Sequence, residues 1–298
     1  MKKRSFGKNN VGYLYIAPWL IGMLVFQLYP FISSFIYSFT DFSLNKNYNF
    51  VFLKNFIKIF SSDPEFSNSL KVTLIYVLYS VPLKLCFALF IAVILNRKIR
   101  GIGIFRTAYY LPSILGGSMT IAILWRYLFD HNGLVNMILE KVNIPPINWI
   151  TSPEVSLYSL GLLSIWQFGS SMVIFLAALK QIPSELYEAG KVDGANTIKR
   201  FFNITVPMLT PIIFFNLVMQ TINAFQMFTP AYIITKGGPV KSTYLYSLML
   251  YDNAFVYFKM GYANALSWIL FIIILVFTLI MFRTSKYWIY YSDGGTNK

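Results

Sequence analysis

The chain has 298 residues, 56% hydrophobic and only 12% charged, with a net charge of +14 and a mean hydropathy of +0.58. A soluble domain carries about 25% charged residues, so this balance excludes an ordinary soluble protein and predicts an all-α, polytopic membrane protein. A single cysteine, Cys86, excludes an internal disulfide, and with one histidine, His131, it leaves no usual zinc site; the basic excess gathers on no soluble domain, so no nucleic acid is expected as a partner.

Residues 1–10 carry Lys2, Lys3, Arg4 and Lys8, a basic N-terminus expected in the cytoplasm. No charge follows from Asn9 to Thr40, which reads as a retained first crossing bounded or kinked by Pro18 and Pro30, since about 20 apolar residues suffice to span a bilayer. Asp41 to Leu70 is a polar loop with Asn45, Asn47, Asn49, Asp63 and Glu65. A second crossing is expected over about 69–96, with Lys84 near its middle, Cys86 read as a packed apolar residue, and a basic turn of Arg97, Lys98, Arg100 and Arg106 behind it. The third is expected over about 104–129, with Pro112 and Gly116-Gly117 inside. A loop containing Pro145-Pro146 leads to the fourth, which ends at Leu179. The fifth is expected over about 206–234, the sixth over about 261–282, with a short amphipathic segment over 244–260 between them.

Between the fourth and fifth crossings lies one polar interruption, residues 180–207. Ser184 is placed to cap a short helix, with Glu185 where a helix dipole favours an acid. Gly194 ends that helix, and Asn196 caps a second. Ala189, Gly190, Gly194 and Ala195 give the loop a small-residue surface. Two readings fit it: close approach by another protein, or an amphipathic helix lying on lipid.

Six crossings put both termini on one side. The N-terminus, the 97–106 turn, the 180–200 loop and the C-terminus hold fifteen Lys and Arg, against nine in the other three loops. The bias predicts N-in and C-in, with the 180–207 loop in the cytoplasm.

The same loop reads Glu188-Ala189-Gly190, then Asp193-Gly194-Ala195, nine positions from Ala195 to Asn203, and Ile204-Thr205-Val206-Pro207. This resembles the EAA loop of binding-protein-dependent ABC importer permeases, with Gly190 standing for the second Ala and Val206 for a Leu. Ala17-Pro18, Tyr29-Pro30, Ser38-Phe39-Thr40-Asp41, Asn55-Phe56, Asp63-Pro64 and Phe66 are similar to the sugar-type branch. So are Arg106, Tyr110-Leu111-Pro112, Trp125, Gly133-Leu134-Val135-Asn136, Thr235-Lys236-Gly237-Gly238-Pro239, Ser242-Thr243 and Gly261-Tyr262-Ala263. The resemblance implies a type I importer permease fold in a bacterial cell membrane, forming a single transmembrane domain over residues 11–298. It also implies a second homologous permease subunit, two ATP-binding subunits and an extracellular solute-binding protein. Glu185, Glu188, Ala189, Gly190, Asp193, Gly194 and Ala195 would couple to the ATPase.

All eleven acids lie outside the crossings, and no Gly-rich phosphate loop is present. An ion-coupled carrier usually needs an ionisable or carbonyl-lined site at membrane depth, and none of these acids is placed for one, so energy is expected from a partner: no cofactor on this chain, ATP and Mg on the ATPase. Asn216, Gln220 and Asn223 share one face of the fifth crossing, with Gln226 beside it. Neutral amides suit the hydroxyls of a carbohydrate; they equally suit hydrogen bonding to a partner helix. Gln167, Ser170 and Ser171 form a second set, and Asn264 and Ser267 a third. Lys84 can snorkel, pair within the bundle, or meet an acidic substrate. The expectation is a carbohydrate importer permease. A polyol or glycerol phosphate permease is the nearer alternative; an ion-coupled carrier or a non-transporting scaffold is the more distant one.

Overall fold

A computed structural model of the chain describes residues 10–43, 48–97 and 100–290. The basic positions Lys2, Lys3, Arg4, Lys8 and Lys98, together with Asn45, Asn47 and Asp293, lie outside the described residues. Helices make up the regular structure; an isolated antiparallel bridge, Thr40 to Phe50, is the extended pairing found among the described residues.

One compact unit comprises the described residues up to Asp63 together with Leu250–Phe271. It begins with α1 (Asn10–Met23), a π-helical turn (Leu24–Leu28) and α2 (Tyr29–Ser38). These run on as one apolar span, Tyr15–Ser38, despite Pro18 and Pro30. Tyr15, Trp19 and Phe26 stand exposed along it, as suits a helix whose solvent is hydrocarbon. α3 (Lys54–Ser62) folds back, and Asn55 donates through Nδ2 to the carbonyls of Ser38 and Thr40, both at 2.9 Å. The same unit holds the first part of α14 (Met260–Ser285). There Trp268 packs on Phe31 and Phe35, each at 4.7 Å between ring centroids, and donates to Ser34 at 3.2 Å. Tyr262 donates its hydroxyl to Asp63. Asp41 accepts from the Asn49 N–H at 2.5 Å, and that bond holds its carboxyl below the usual pKa.

The other unit comprises Pro64–Met249 and the chain from Ile272 on. Its axis is α4 (Pro64–Leu95), whose Tyr76, Val77, Val81, Leu85, Ala88 and Ala92 are buried. Around α4 pack α5 (Ile102–Leu115), α8 (Ser156–Trp166), α9 (Gly169–Leu179) and α12 (Val206–Phe225). Close approach is licensed by glycine: a Cβ on Gly161 would meet the Tyr79 hydroxyl at 2.2 Å, and one on Gly169 the Tyr109 carbonyl at 2.6 Å. α6 (Met119–Leu128) and α7 (Leu134–Lys141) lead to a loop organised by buried Asn136. Its Nδ2 donates to the carbonyls of His131 and Ile147, and its Oδ1 accepts from Ile147 N and Trp149 Nε1, all at 2.9 to 3.0 Å. α10 (Ser184–Val192), α11 (Thr197–Arg200) and a π turn (Phe201–Thr205) form the polar interruption, and α13 (Tyr246–Tyr251) precedes α14.

Four helical stretches are long and apolar enough to cross a membrane: Tyr15–Ser38, Pro64–Leu95, Thr197–Phe225 and Met260–Ser285. Two bent pairs, α5 with α6 and α8 with α9, bring the number to six when each is one span. The third crossing is therefore not the continuous helix that its apolar run predicts. It bends by 102° between Leu115 and Met119, where Pro112 and Gly116-Gly117 weaken the ladder and Ser118 caps α6 by accepting from Ile121 N at 3.3 Å. The fourth bends by 43° around Gln167. The fifth ends at Phe225 rather than near Ile234; a break follows, and a separate π turn covers Ala231–Thr235. Cys86 is exposed, not packed: it lies on the outer face of α4, in an apolar groove with Phe201 and Phe202.

Candidate functional site

Three of these breaks converge. Gly116 and Gly117 from the α5–α6 bend, Gln167 from the α8–α9 bend, and Gln226 to Pro230 beyond α12 line one cavity of about 240 Å³. Lys84 from α4 and Gln220 and Asn223 from α12 complete its polar wall; Tyr76, Leu160 and Leu163 supply apolar surface. Broken helices at membrane depth are tolerated where they line a cavity, because freed backbone groups need partners. Here Gln167 supplies one: its Nε2 donates to the Gly116 carbonyl at 2.8 Å, and a Cβ on Gly116 would overlap the Gln167 side chain at 2.3 Å. Ser113 closes the same junction, donating to the Gln167 carbonyl and accepting from Ser170 N, both at 3.0 Å.

Gln220 donates to Ser171 at 3.2 Å, which leaves its Oε1 for another partner. The side chains of Asn223, Gln226 and Lys84 have no hydrogen-bond partner among the described residues, and all three residues line the cavity. Of Lys84, Gln167, Asn216, Gln220, Asn223 and Gln226, five thus meet in one place. The sixth, Asn216, does not reach the cavity: it is buried and donates to the Ile212 carbonyl at 3.1 Å. Asn264 and Ser267 bond back to their own helix, at Met260 and Ala263. The chain-order signals for the breaks were the Gly116-Gly117 pair and Pro112. Thr229 and Pro230 carried no comparable signal, because the apolar run continues through them.

A second region is the 180–207 loop. No residue of α10 is buried, and Glu185, Glu188, Ala189, Asp193 and Gly194 are exposed, with Gly190 and Ala195 half-buried. Ser184 does not cap α10. Pro183 occupies that position, at φ −58° and ψ 135°, and Ser184 is the first helical residue. Asn196 does cap α11, accepting from Lys199 N at 2.8 Å. Gly194, at φ +73°, makes the left-handed turn between the two helices. α10 folds back on its sequel: Ala195 N donates to Gly190 O at 2.9 Å, and Tyr187 and Thr205 join hydroxyls. Val192 (88%) is exposed at the end of α10, and Ile198 (70%) and Phe202 (62%) are exposed at the start of the apolar stretch Thr197–Phe225. Among the described residues no group of His, Cys, Asp and Glu could hold a metal.

Residues 65–287 match the model of the binding-protein-dependent transport system inner membrane component. The chain belongs to this family. It is a permease of the inner membrane with several apolar crossings. It is 54% identical to the probable ABC transporter permease protein YesP of Bacillus subtilis, over 98% of this chain and 96% of that one. It is 34% identical to the arabinooligosaccharides transport system permease AraP of the same organism, over 94% and 90%. It is 31% identical to the trehalose/maltose transport system permease MalF of Thermococcus litoralis, over 96% and 97%. Among solved structures, a bacterial alginate ABC transporter in complex with an alginate pentasaccharide-bound periplasmic protein shares the permease's fold. The TM-score is 0.80 at 21% identity, over 93% of this chain and 94% of that chain. The permease fold expected from the EAA-type loop is thus the fold observed.

Proposed function

We propose that this permease imports a carbohydrate of oligosaccharide type through the cavity of Gln167, Gln220, Asn223, Gln226 and Lys84. The carrying observation is that cavity: amides with open hydrogen-bonding capacity sit inside an apolar chain whose relatives are named for oligosaccharide transport. Amides offer a donor and an acceptor each, which matches hydroxyl groups. The permease works with a second homologous permease, two ATP-binding subunits and an external solute-binding protein. ATP and Mg bind the ATP-binding subunits, so this chain needs no cofactor of its own.

The distribution of Lys and Arg puts both termini and the 180–207 loop in the cytoplasm. Glu185, Glu188, Ala189, Gly190, Asp193, Gly194 and Ala195 form the face that an ATP-binding subunit grips, with Val192 and Ile198 as its apolar contacts. Closure of the ATPase dimer on ATP moves α10 and α11, and through them the base of α12. The permeases then expose the cavity outward, and the binding protein delivers its sugar.

Vesicles holding the complete importer test this reading. Labelled oligosaccharide uptake should require ATP and both ATP-binding subunits, and Glu188→Gln should lower uptake per ATP hydrolysed. Uptake that survives loss of every ATP-binding subunit would overturn it.

A further inference from the structure

We propose that the sugar carried is acidic, with a hexuronate-type carboxylate, and that Lys84 receives this carboxylate in the cavity. The inference rests on the carbohydrate reading above and adds the charge of the cargo. Lys84 stands well inside the span Pro64–Leu95 and lines the cavity. A lysine that snorkels turns toward the membrane interface; this one lines the same cavity as four amides and Gly116-Gly117. No acid lines the cavity. Among the described residues no ion pair or hydrogen bond involves Lys84; Lys241–Glu65 is the ion pair seen. Pairing within the bundle, the structural role open to such a residue, is therefore absent from this unit.

An ammonium at membrane depth without a counter-charge is costly to keep and marks a functional site. In a path for neutral sugar it would add nothing that a fifth amide could not. With an anionic sugar its charge is matched on arrival, by a charge-assisted bond stronger than any the amides make. Gln220, Asn223 and Gln226 remain free for the hydroxyls.

The test uses the complete importer in vesicles with its solute-binding protein. The ligands are labelled oligosaccharides ending in a hexuronate, their carboxyl-reduced counterparts, and a hexose phosphate. Wild-type importer is expected to take up the hexuronate sugar in preference to the reduced one. Lys84→Gln should lower that uptake roughly tenfold or more at subsaturating concentration, and should lower uptake of the reduced sugar by much less. Lys84→Arg should keep most of the acidic uptake. Co-purification of the subunits reports assembly of each variant. If Lys84→Gln does not assemble, competition in the wild type decides: the reduced sugar must fail to displace the acidic one. Preference for neutral sugar, equal loss of both sugars in Lys84→Gln, or uptake of the phosphate alone would overturn the proposal while leaving an ATP-driven importer. Absence of uptake for every saccharide would overturn the carbohydrate reading and this inference together.

Discussion

The hydroxyls of Tyr187 and Thr205 meet at 2.9 Å, tying the middle of α10 to the π turn that feeds α12. α10 buries no residue of its own, so this bond is its side-chain tie to the span behind, while the Ala195 to Gly190 bond closes its own C-terminal end. A single hydrogen bond contributes about 1 kcal/mol, or about fivefold in the balance between docked and loosened loop. Tyr187→Phe should lower sugar imported per ATP several-fold while the complex still assembles. Thr205→Val should do the same, and the double variant should be no worse than either single one. Equal transport stoichiometry in Tyr187→Phe and wild type would show that motion reaches α12 by another route.

Two glycines in the same loop make different demands. Gly194 has open space around it but sits at φ +73°, so Gly194→Ala costs roughly 1 kcal/mol of backbone strain. Gly194→Asn should cost less, because Asn tolerates that conformation. Gly190 has ordinary backbone but a crowded site: an added Cβ lies 3.1 Å from Ile204 Cδ1. That atom ends a flexible side chain, so Gly190→Ala is expected to be tolerated and Gly190→Leu to pry α10 from the π turn. Limited proteolysis of the loop, with uptake per ATP, checks both rankings.

How far the chain could be read in advance follows from which forces act locally. The Gly194 turn and the Asn196 cap depend on one residue's conformation or side chain, and both were legible. So were Gln220 and Asn223 of the amide face of α12, since period fixes direction, whereas Asn216 of the same face is buried and bonds to Ile212. Ser184 misled because a capping residue type sat one position inside a boundary that Pro183 sets with its own φ. The end of α12 at Phe225 was invisible because Met227, Phe228 and Pro230 to Ile234 continue the apolar run. The bend at Gly116 depends on a tertiary partner, Gln167, 51 residues away. Asn136 shows the same limit: a single polar residue of α7 gave no sign that two carbonyls, an amide and an indole would converge on it. Cys86 was misplaced because apolar character does not say which side of a fully apolar helix faces neighbours.

Gly261 offers the sharpest stability test. Its N–H donates to the Phe42 carbonyl at 2.9 Å, and a Cβ there would lie 2.1 Å from the Thr40 carbonyl oxygen. That oxygen is fixed, because it also accepts from Asn55 at 2.9 Å. Relief of the clash must therefore move backbone, not a side-chain end, and overpacking of this kind costs about 1–3 kcal/mol or more. Gly22 is the control: it lies in α1 with nothing within 4 Å of an added Cβ, and alanine there gains up to about 1 kcal/mol of helix propensity. Thermal melting of the purified importer should show Gly261→Ala falling by several degrees and Gly22→Ala unchanged or raised. If both variants melt with the wild type, the contact between α14 and the Thr40–Phe42 segment is looser than the hydrogen bonds to Phe42 and Asn55 indicate.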